Sequence, residues 1–180
     1  MRKDITESMD IPGGITVEKK GTNYTVTGPK GKASREFIAP NVDIKIENNK
    51  LVISSRKASK KEKALVNSYK SHFKNIFTGV EKKYIYKLKI CSGHFPMNVS
   101  FANGILNVKN FIGEKFPRTL KINPGVSVKI EGNNVTLEGV DKEIVGQTAA
   151  NIEQLTRRPG FDRRIFQDGI FIISKAEKGA

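Results

Sequence analysis

The sequence predicts an α+β protein of two tandem, duplicated domains, each with a mostly antiparallel sheet packed against one helix. The first observation is a repeat. Val42–Asn49 returns 84 positions later as Val126–Asn133, and both copies alternate apolar and polar residues before an Asn-containing turn. Such alternation is typical of two half-buried strands joined as a hairpin. The second observation is that an apolar stripe with helical spacing follows each hairpin, so the repeated unit contains strands and a helix.

The first copy begins with strands that are predicted at about 15–20 and 22–27, where apolar residues occupy alternate positions. Gly28–Gly31 is predicted to be a turn, because its glycines allow unusual backbone angles and its proline cannot donate to a strand ladder. A third strand ends near Phe37, and the repeated hairpin follows it.

The helix of the first copy is predicted at about residues 60–77. Ser59 and Glu62 have the spacing of a capping box, in which the serine bonds the helix backbone and the glutamate reaches back. Thr78–Val80 is predicted to end the helix. The apolar stripe of this helix is Leu65, Val66, Tyr69, Phe73 and Ile76. The matching stripe of the second copy is Ile144, Val145, Thr148, Ile152 and Leu155.

The second copy is predicted to begin with a strand at about 83–90, so we place the domain boundary between 81 and 82. The predicted domains are therefore 1–81 and 82–180. Asn103-Gly104 is a strong hairpin signal, since both residues tolerate the backbone angles of a tight turn. The later elements are a helix from Ile144 to Leu155 capped by Asp141, a short strand at Ile170–Ile173, and an end that frays from Ala176.

The charge of the chain favours a polyanionic partner. The 180 residues carry 32 Lys and Arg against 18 Asp and Glu, a formal net charge of +14. A domain this basic is typical of nucleic-acid-binding proteins. A membrane surface is the weaker alternative, because the one good amphipathic helix is needed to cover its own sheet.

The sequence points to a reducing compartment. Cys91 is the single cysteine, so no internal disulfide can form. The N-terminal residues are charged and lack the apolar core of a signal peptide, and no apolar run approaches the roughly 20 residues that span a bilayer. We expect a cytoplasmic protein with no membrane partner.

Catalytic and metal-binding patterns are weak. Cys91 and His94 lie three positions apart and could form a nucleophile–base pair or half of a metal site, but zinc needs about four ligands and the only other histidine is His72. Gly28–Gly31 lacks the spacing of a phosphate-binding loop. We therefore expect no enzyme, no metal site, no cofactor and no small-molecule substrate.

Two basic clusters are the candidate binding residues. The lysine-rich cluster enters the first helix, where cations oppose the helix dipole, so a phosphate partner is one reason for its presence. The arginine cluster leaves the second helix, and guanidinium groups can fork to phosphate and stack on unpaired bases. A solvated charged surface is the alternative in each case. The lysine-rich cluster is Arg56, Lys57, Lys60, Lys61 and Lys63. The arginine cluster is Arg157, Arg158, Arg163 and Arg164.

Net charge and arginine content point to different halves of the chain as the main nucleic-acid-binding region. Residues 1–90 carry 20 Lys and Arg against 9 acids, net +11, whereas residues 91–180 carry 12 against 9, net +3. The larger net charge favours the first half of the chain as the main nucleic-acid-binding region, whereas the concentration of arginines favours the second half. A free-standing basic regulator that uses these surfaces on RNA or DNA is one function that remains open for such a chain.

Several motifs resemble those of the large-subunit ribosomal protein L6 family in its archaeal and eukaryotic form. The resemblance covers about residues 8–175. The motifs are Gly28–Gly31, His94–Val99, Asn110–Lys115, Gly146–Ile152 and Arg164–Ile170.

The resemblance implies a non-catalytic structural constituent of the large ribosomal subunit that supports translation. It implies binding to 23S-type rRNA near the stalk base and the sarcin–ricin, factor-binding region, next to neighbouring ribosomal proteins. It also implies that the second domain is the main rRNA anchor. A further reason to include Gly146 is that a glycine inside a helix costs about 1 kcal/mol, so we expect a close approach there, with internal packing as the alternative. The expected rRNA-binding residues are Lys115, Arg118, Gly146, Gln147, Asn151, Arg157, Arg158, Arg163, Arg164 and Lys175.

Overall fold

The structure is a computed structural model that describes residues 3–47, 49–162 and 164–179. The chain divides into two compact units, residues 1–82 and 83–180. Each unit combines antiparallel sheets with one α-helix, which confirms the predicted duplicated α+β fold class.

Unit 1 contains six strands and one helix among its described residues. The elements are β1 (Lys3–Asp10), β2 (Thr16–Lys20), β3 (Asn23–Gly28), β4 (Gly31–Glu36), β5 (Asp43–Glu47), β6 (Lys50–Ala58) and α1 (Lys60–Glu81). The strands form two three-stranded sheets of order β1-β6-β5 and β2-β3-β4, with every pairing antiparallel.

Helix α1 begins and packs as its sequence predicts. Ser59 is the N-cap of a complete capping box with Glu62. The inward face of α1 packs on an aromatic core, in which the Phe37 ring stacks on Phe73 with centroids 4.5 Å apart and meets Tyr69 edge-on at 4.8 Å. Four members of the predicted stripe are buried, whereas Leu65 is exposed.

Unit 2 repeats this plan and adds a strand. The elements among its described residues are β7 (Tyr84–Cys91), β8 (Asn98–Ala102), β9 (Ile105–Lys109), a 3-10 turn (Phe111–Gly113), β10 (Arg118–Lys121), β11 (Val126–Glu131), β12 (Asn134–Gly139), α2 (Lys142–Leu155) and β13 (Gly169–Lys178). The strands form sheets of order β10-β9-β8 and β11-β12-β7-β13.

The two units correspond strand by strand. The hairpins β5–β6 and β11–β12 are the predicted repeat, and β1 and β7 each pair with the second strand of their hairpin. Asp141 caps α2 through hydrogen bonds from the N–H groups of Glu143 and Ile144, as predicted. Ile144 is exposed, like Leu65 at the matching place in α1. The core of unit 2 lies between α2 and the sheets, around Leu88, Leu106, Leu137 and Ile152.

Three strands differ from the sequence expectation. Strand β1 was not predicted, because only Ile5 and Met9 are apolar in it and most of its residues are exposed. Strand β10 was also not predicted, since it is short and follows Pro117. Strand β13 was predicted to stop at Ile173 and fray from Ala176, but it continues to Lys178 with two register shifts that interrupt the alternating pattern.

Candidate nucleic-acid interface

The segment between α2 and β13, residues 156–168, carries the predicted arginine cluster, and we call it the arginine loop. Its two ends are joined through Thr156, which is buried. The Thr156 hydroxyl accepts a hydrogen bond from the N–H of Ile170 at 2.9 Å and donates to the carbonyl of Glu153 at 3.3 Å. A buried hydrogen bond of this kind fixes where the loop leaves the helix and where it enters the strand.

Two of the arginines have carboxylate partners. Arg158 Nη1 lies 3.8 Å from Glu114 Oε1, and the Arg158 guanidinium lies over the Phe161 ring at 4.5 Å from its centroid. Arg164 Nη2 lies 2.8 Å from Asp162 Oδ2, and the hydrogen bonds that Arg164 donates hold the pKa of Asp162 below its ordinary value. The Arg164 side chain is 91% exposed, so a phosphate can reach it. Arg157 is exposed, and Arg163 lies outside the described residues.

The N–H groups of Arg118 donate hydrogen bonds to partners inside unit 2. Its Nε and Nη2 donate to the two oxygens of Glu114 at 2.8 and 2.6 Å, and its Nη1 donates to the carbonyls of Leu155 at 2.6 Å and Arg157 at 3.3 Å. The guanidinium also lies 4.4 Å from the centroid of the Phe111 ring. Although the sequence nominates Arg118 as an rRNA-binding residue, its geometry is that of an internal brace.

Residues close to Arg118 in the chain are exposed to solvent. Lys115 is exposed, and Phe116 is 85% exposed, the largest value among the described large apolar side chains. Lys175 on β13 is exposed as well. The chain thus presents an aromatic face and a lysine side by side on a loop held by Arg118. Phe116 was not nominated from the sequence, although the run Lys115-Phe116-Pro117-Arg118 carries a basic and aromatic signal.

Helix α2 presents a polar pair. Gln147 Nε2 donates to Asn151 Oδ1 at 2.8 Å on the outer side of the helix. Gly146 is different, because a Cβ there would lie 3.0 Å from Tyr86 Oη and 3.4 Å from Tyr86 Cζ. The structure therefore favours internal packing as the reason for the glycine, whereas an RNA contact at Gly146 stays a prediction.

An imidazole–carboxylate pair joins the arginine loop to the segment before β8. His94 Nδ1 lies 2.6 Å from Asp168 Oδ2, and Asp168 also accepts hydrogen bonds from the N–H groups of Gly93 and His94. Burial raises the pKa of Asp168, but these hydrogen bonds outweigh it and hold the pKa below its ordinary value. An ionised carboxylate only accepts, so Nδ1 of His94 carries the proton. This pair was not predicted, since its members are 74 positions apart in the chain.

The lysine-rich cluster lies in unit 1 at the start of α1. All five of its residues are exposed, and the N–H of Lys57 donates to Asp4 Oδ1 at 2.7 Å. Hydrogen bonds from Ser59 lower the pKa of Glu62 from an ordinary 4.5 to about 2, so an ionised acid lies among these cations. The negative charge of Glu62 interacts favourably with the positive end of the α1 dipole, and this offsets the unfavourable interaction of the lysines with the same end.

The described residues contain no group of three or more His, Cys, Asp or Glu side chains that could hold a metal ion. Within the same residues, neither helix has the length and apolar character that crossing a membrane requires.

Comparison with known proteins decides the family. The model of the family described as ribosomal protein L6 matches residues 11–83 and 95–169. Three archaeal relatives, each named large ribosomal subunit protein uL6, align along nearly the whole chain. The protein of Methanococcus vannielii is 46% identical over 97% of this chain and 96% of its own length. The protein of Ignicoccus hospitalis is 46% identical over 93% and 92%, and that of Methanosarcina mazei is 42% identical over 98% and 100%.

The chain belongs to the ribosomal protein L6 family.

This membership confirms the resemblance that the sequence motifs indicated. Ribosomal L6 proteins are structural proteins of the large subunit and not enzymes, and their role in translation includes binding rRNA. The match in two segments also agrees with the duplication, since the first segment covers unit 1 from residue 11 to its end and the second lies in unit 2. The arginine loop lies within the second matched segment, whereas Lys175 lies beyond it.

Proposed function

We propose that this chain is a structural constituent of the large ribosomal subunit in the cytoplasm, and that it binds large-subunit rRNA mainly through domain 82–180. The proposed site lies near the stalk base and the sarcin–ricin, factor-binding region, beside neighbouring ribosomal proteins. Family membership supports the ribosomal role. The observation that carries the choice of anchor is the arginine loop, whose two ends are fixed by a buried threonine.

The chemistry of the loop suits folded RNA. Arginine forms forked hydrogen bonds to phosphate, and its planar group stacks on unpaired bases. Lys115 adds a point charge, and the exposed ring of Phe116 offers a face on which an unpaired base can stack. The amides of Gln147 and Asn151 can donate to and accept from base edges or 2′-hydroxyls.

The lysine-rich cluster has a different proposed role. Lysine supplies charge without a forked geometry, so the cluster of unit 1 adds non-specific affinity for RNA. We propose that it is a secondary contact, even though the first half of the chain carries most of the net charge.

Salt dependence of binding tests this assignment. Each phosphate contact adds about 0.9 to the slope of log affinity against log salt on duplex nucleic acid, and about 0.7 on single strands. Replacing Arg157, Arg158, Arg163 and Arg164 by Gln should flatten the slope by two units or more and abolish the preference for the large-subunit rRNA fragment. Replacing Lys57, Lys60, Lys61 and Lys63 by Gln should flatten the slope but keep the preference. The assignment is wrong if the lysine variant is the one that loses selectivity.

Sucrose-gradient sedimentation of cell lysate separates the ribosomal role from a free-standing regulator. Co-migration with large subunits through a high-salt wash supports the proposal. A pool that sediments only as free protein would contradict it.

A further inference from the structure

The hydrogen bonds of Arg118 leave it little capacity for a phosphate. A guanidinium has five N–H groups, and the four bonds to Glu114, Leu155 and Arg157 use four of them. Among the described residues, four acceptors are found for these groups, which leaves one N–H, on Nη2. A forked contact to phosphate needs two parallel donors, so Arg118 cannot make one without giving up a partner inside the unit.

The carbonyls that Arg118 reaches are at the end of α2. Leu155 is the last residue of the helix, and Arg157 lies two positions beyond it in the arginine loop. The last carbonyls of a helix lack partners within the helix and carry the negative end of its dipole. The last turn of α2 has no basic residue of its own, so Arg118, from β10, supplies the cation and the donors there. Arg118 thereby fixes the direction in which the chain leaves α2.

Glu114 connects this brace to the loop. It binds Arg118 through both oxygens and lies 3.8 Å from Arg158, so one carboxylate joins the two arginines. Hydrogen bonding from Arg118 is the main cause that lowers the pKa of Glu114. The Glu114 side chain is 30% exposed and lies on the surface proposed to bind RNA, where a negative charge repels phosphate.

We infer that Glu114 and Arg118 are positioning residues for RNA binding, which hold the start of the arginine loop in place and do not contact phosphate. The inference rests on the proposed function, because it assigns a role within the rRNA-binding surface. From electrostatics alone, removing an acidic side chain from an RNA-binding surface should strengthen RNA binding. The inference predicts the opposite for Glu114, because the loss of a positioning residue weakens binding.

Glu114→Gln in the full chain is the deciding variant. Its affinity for a large-subunit rRNA fragment should fall severalfold although the net charge rises by one, and its salt slope should match that of the unchanged chain, because the phosphate-binding arginines remain. Glu131→Gln makes the same charge change on an exposed residue of unit 2, in the β11–β12 hairpin, and is the matched control. Its affinity should stay the same or rise. Unchanged or tighter binding by Glu114→Gln would overturn the inference.

Two further variants keep the test decisive. Glu114→Asp retains the charge but shortens the side chain, and it should also weaken binding while cooperative unfolding is kept. Wild-type affinity in this variant would count against positioning. Arg118→Gln should weaken binding without flattening the salt slope, and the Glu114→Gln/Arg118→Gln pair should lose little more than either single variant. A slope flattened by about one contact in Arg118→Gln would instead show that Arg118 binds phosphate.

The failure of the proposed function would look different. In that case the unchanged protein would show no preference for the large-subunit fragment over unrelated RNA. If the unchanged protein prefers the fragment and Glu114→Gln binds as well as it does, only the positioning role fails.

Discussion

At the scale of single residues, Gly146 and Tyr86 act as a complementary pair. Tyr86 on β7 is buried, and burial raises the pKa of its hydroxyl. Its ring end occupies the space that a side chain at position 146 would need. The absence of a side chain in the middle of α2 therefore lets the helix approach the sheet.

We expect Gly146→Leu to destabilise the protein. The added side chain has to displace the Tyr86 ring, and overpacking of this kind costs about 1–3 kcal/mol. Urea unfolding of the full chain measures the loss. Tyr86→Phe removes the nearest atom, so the same substitution made in that background should cost less.

A different outcome would restore the RNA-contact reading of Gly146. If Gly146→Leu unfolds like the unchanged chain but binds the large-subunit rRNA fragment poorly, something outside the unit approaches the helix at that position.

At the scale of elements, the start of α1 depends on an ionised side chain. Glu62 accepts a hydrogen bond from the N–H of Ser59 at 2.8 Å and another from the Ser59 hydroxyl. These bonds explain why the pKa of Glu62 falls to about 2. A carboxyl whose folded pKa is lowered stabilises the fold above its unfolded pKa and loses that effect as the pH falls towards its folded pKa.

We expect Glu62→Gln to remove a pH-dependent part of the stability. The free energy of unfolding of the unchanged chain should exceed that of the variant near pH 7. This difference should shrink between about pH 4.5 and pH 2, as Glu62 becomes protonated. Chemical unfolding at a series of pH values gives the measurement. Glu18→Gln on β2 makes the same charge change away from the helix and serves as the control, and an equal response in both variants would contradict the role of the cap.

The predicted and missed elements differ in where their signals lie. The hairpins and both helix caps were predicted because alternation, turn residues and caps are local features, and the structure confirms Ser59 and Asp141 as caps. Strand β1 was missed because its residues are mostly polar and their partners in β6 lie 40 or more positions away. The far part of β13 was missed because Ala176 has a positive φ of 51° and the register shifts break the period of two.

At the scale of the whole molecule, the distribution of charge and the proposed anchor disagree. Residues 1–90 carry net +11 against +3 for residues 91–180, yet the proposed anchor is in the second half. The disagreement has a physical basis, because net charge sets non-specific affinity whereas geometry sets selectivity.

We expect the isolated domains to separate these two properties. Residues 82–180 alone should retain the preference for the large-subunit rRNA fragment, and residues 1–81 alone should bind RNA of any sequence with a steep salt dependence. Competition binding against unrelated RNA measures the preference, after cooperative unfolding has shown that each piece folds. Selective binding by residues 1–81 would show that bulk charge is the better guide to the anchor.

The candidate site was only partly predictable for the same reason. Sequence proximity is enough to find Arg157, Arg158 and Arg164, but it does not show that Glu114 binds Arg158 or that Arg118 reaches the carbonyl of Leu155. Those contacts join residues 37 or more positions apart and arise only when β10 packs beside the end of α2. Arg118 is therefore expected from the sequence to bind rRNA, although its partners are within the unit.

The pairing of β13 with β7 has a consequence for biosynthesis. Strand β7 is the first strand of unit 2 to be translated and β13 is the last, and they lie side by side in one sheet. The described strands of unit 1 all precede α1, so their pairing in the two sheets needs no strand translated later. A nascent chain can thus complete unit 1 early, as domains fold in order during synthesis. Unit 2 has to keep one side of β7 unpaired until β13 has been synthesised, and the hydrogen bond from Ile170 to Thr156 that closes the arginine loop forms only after that.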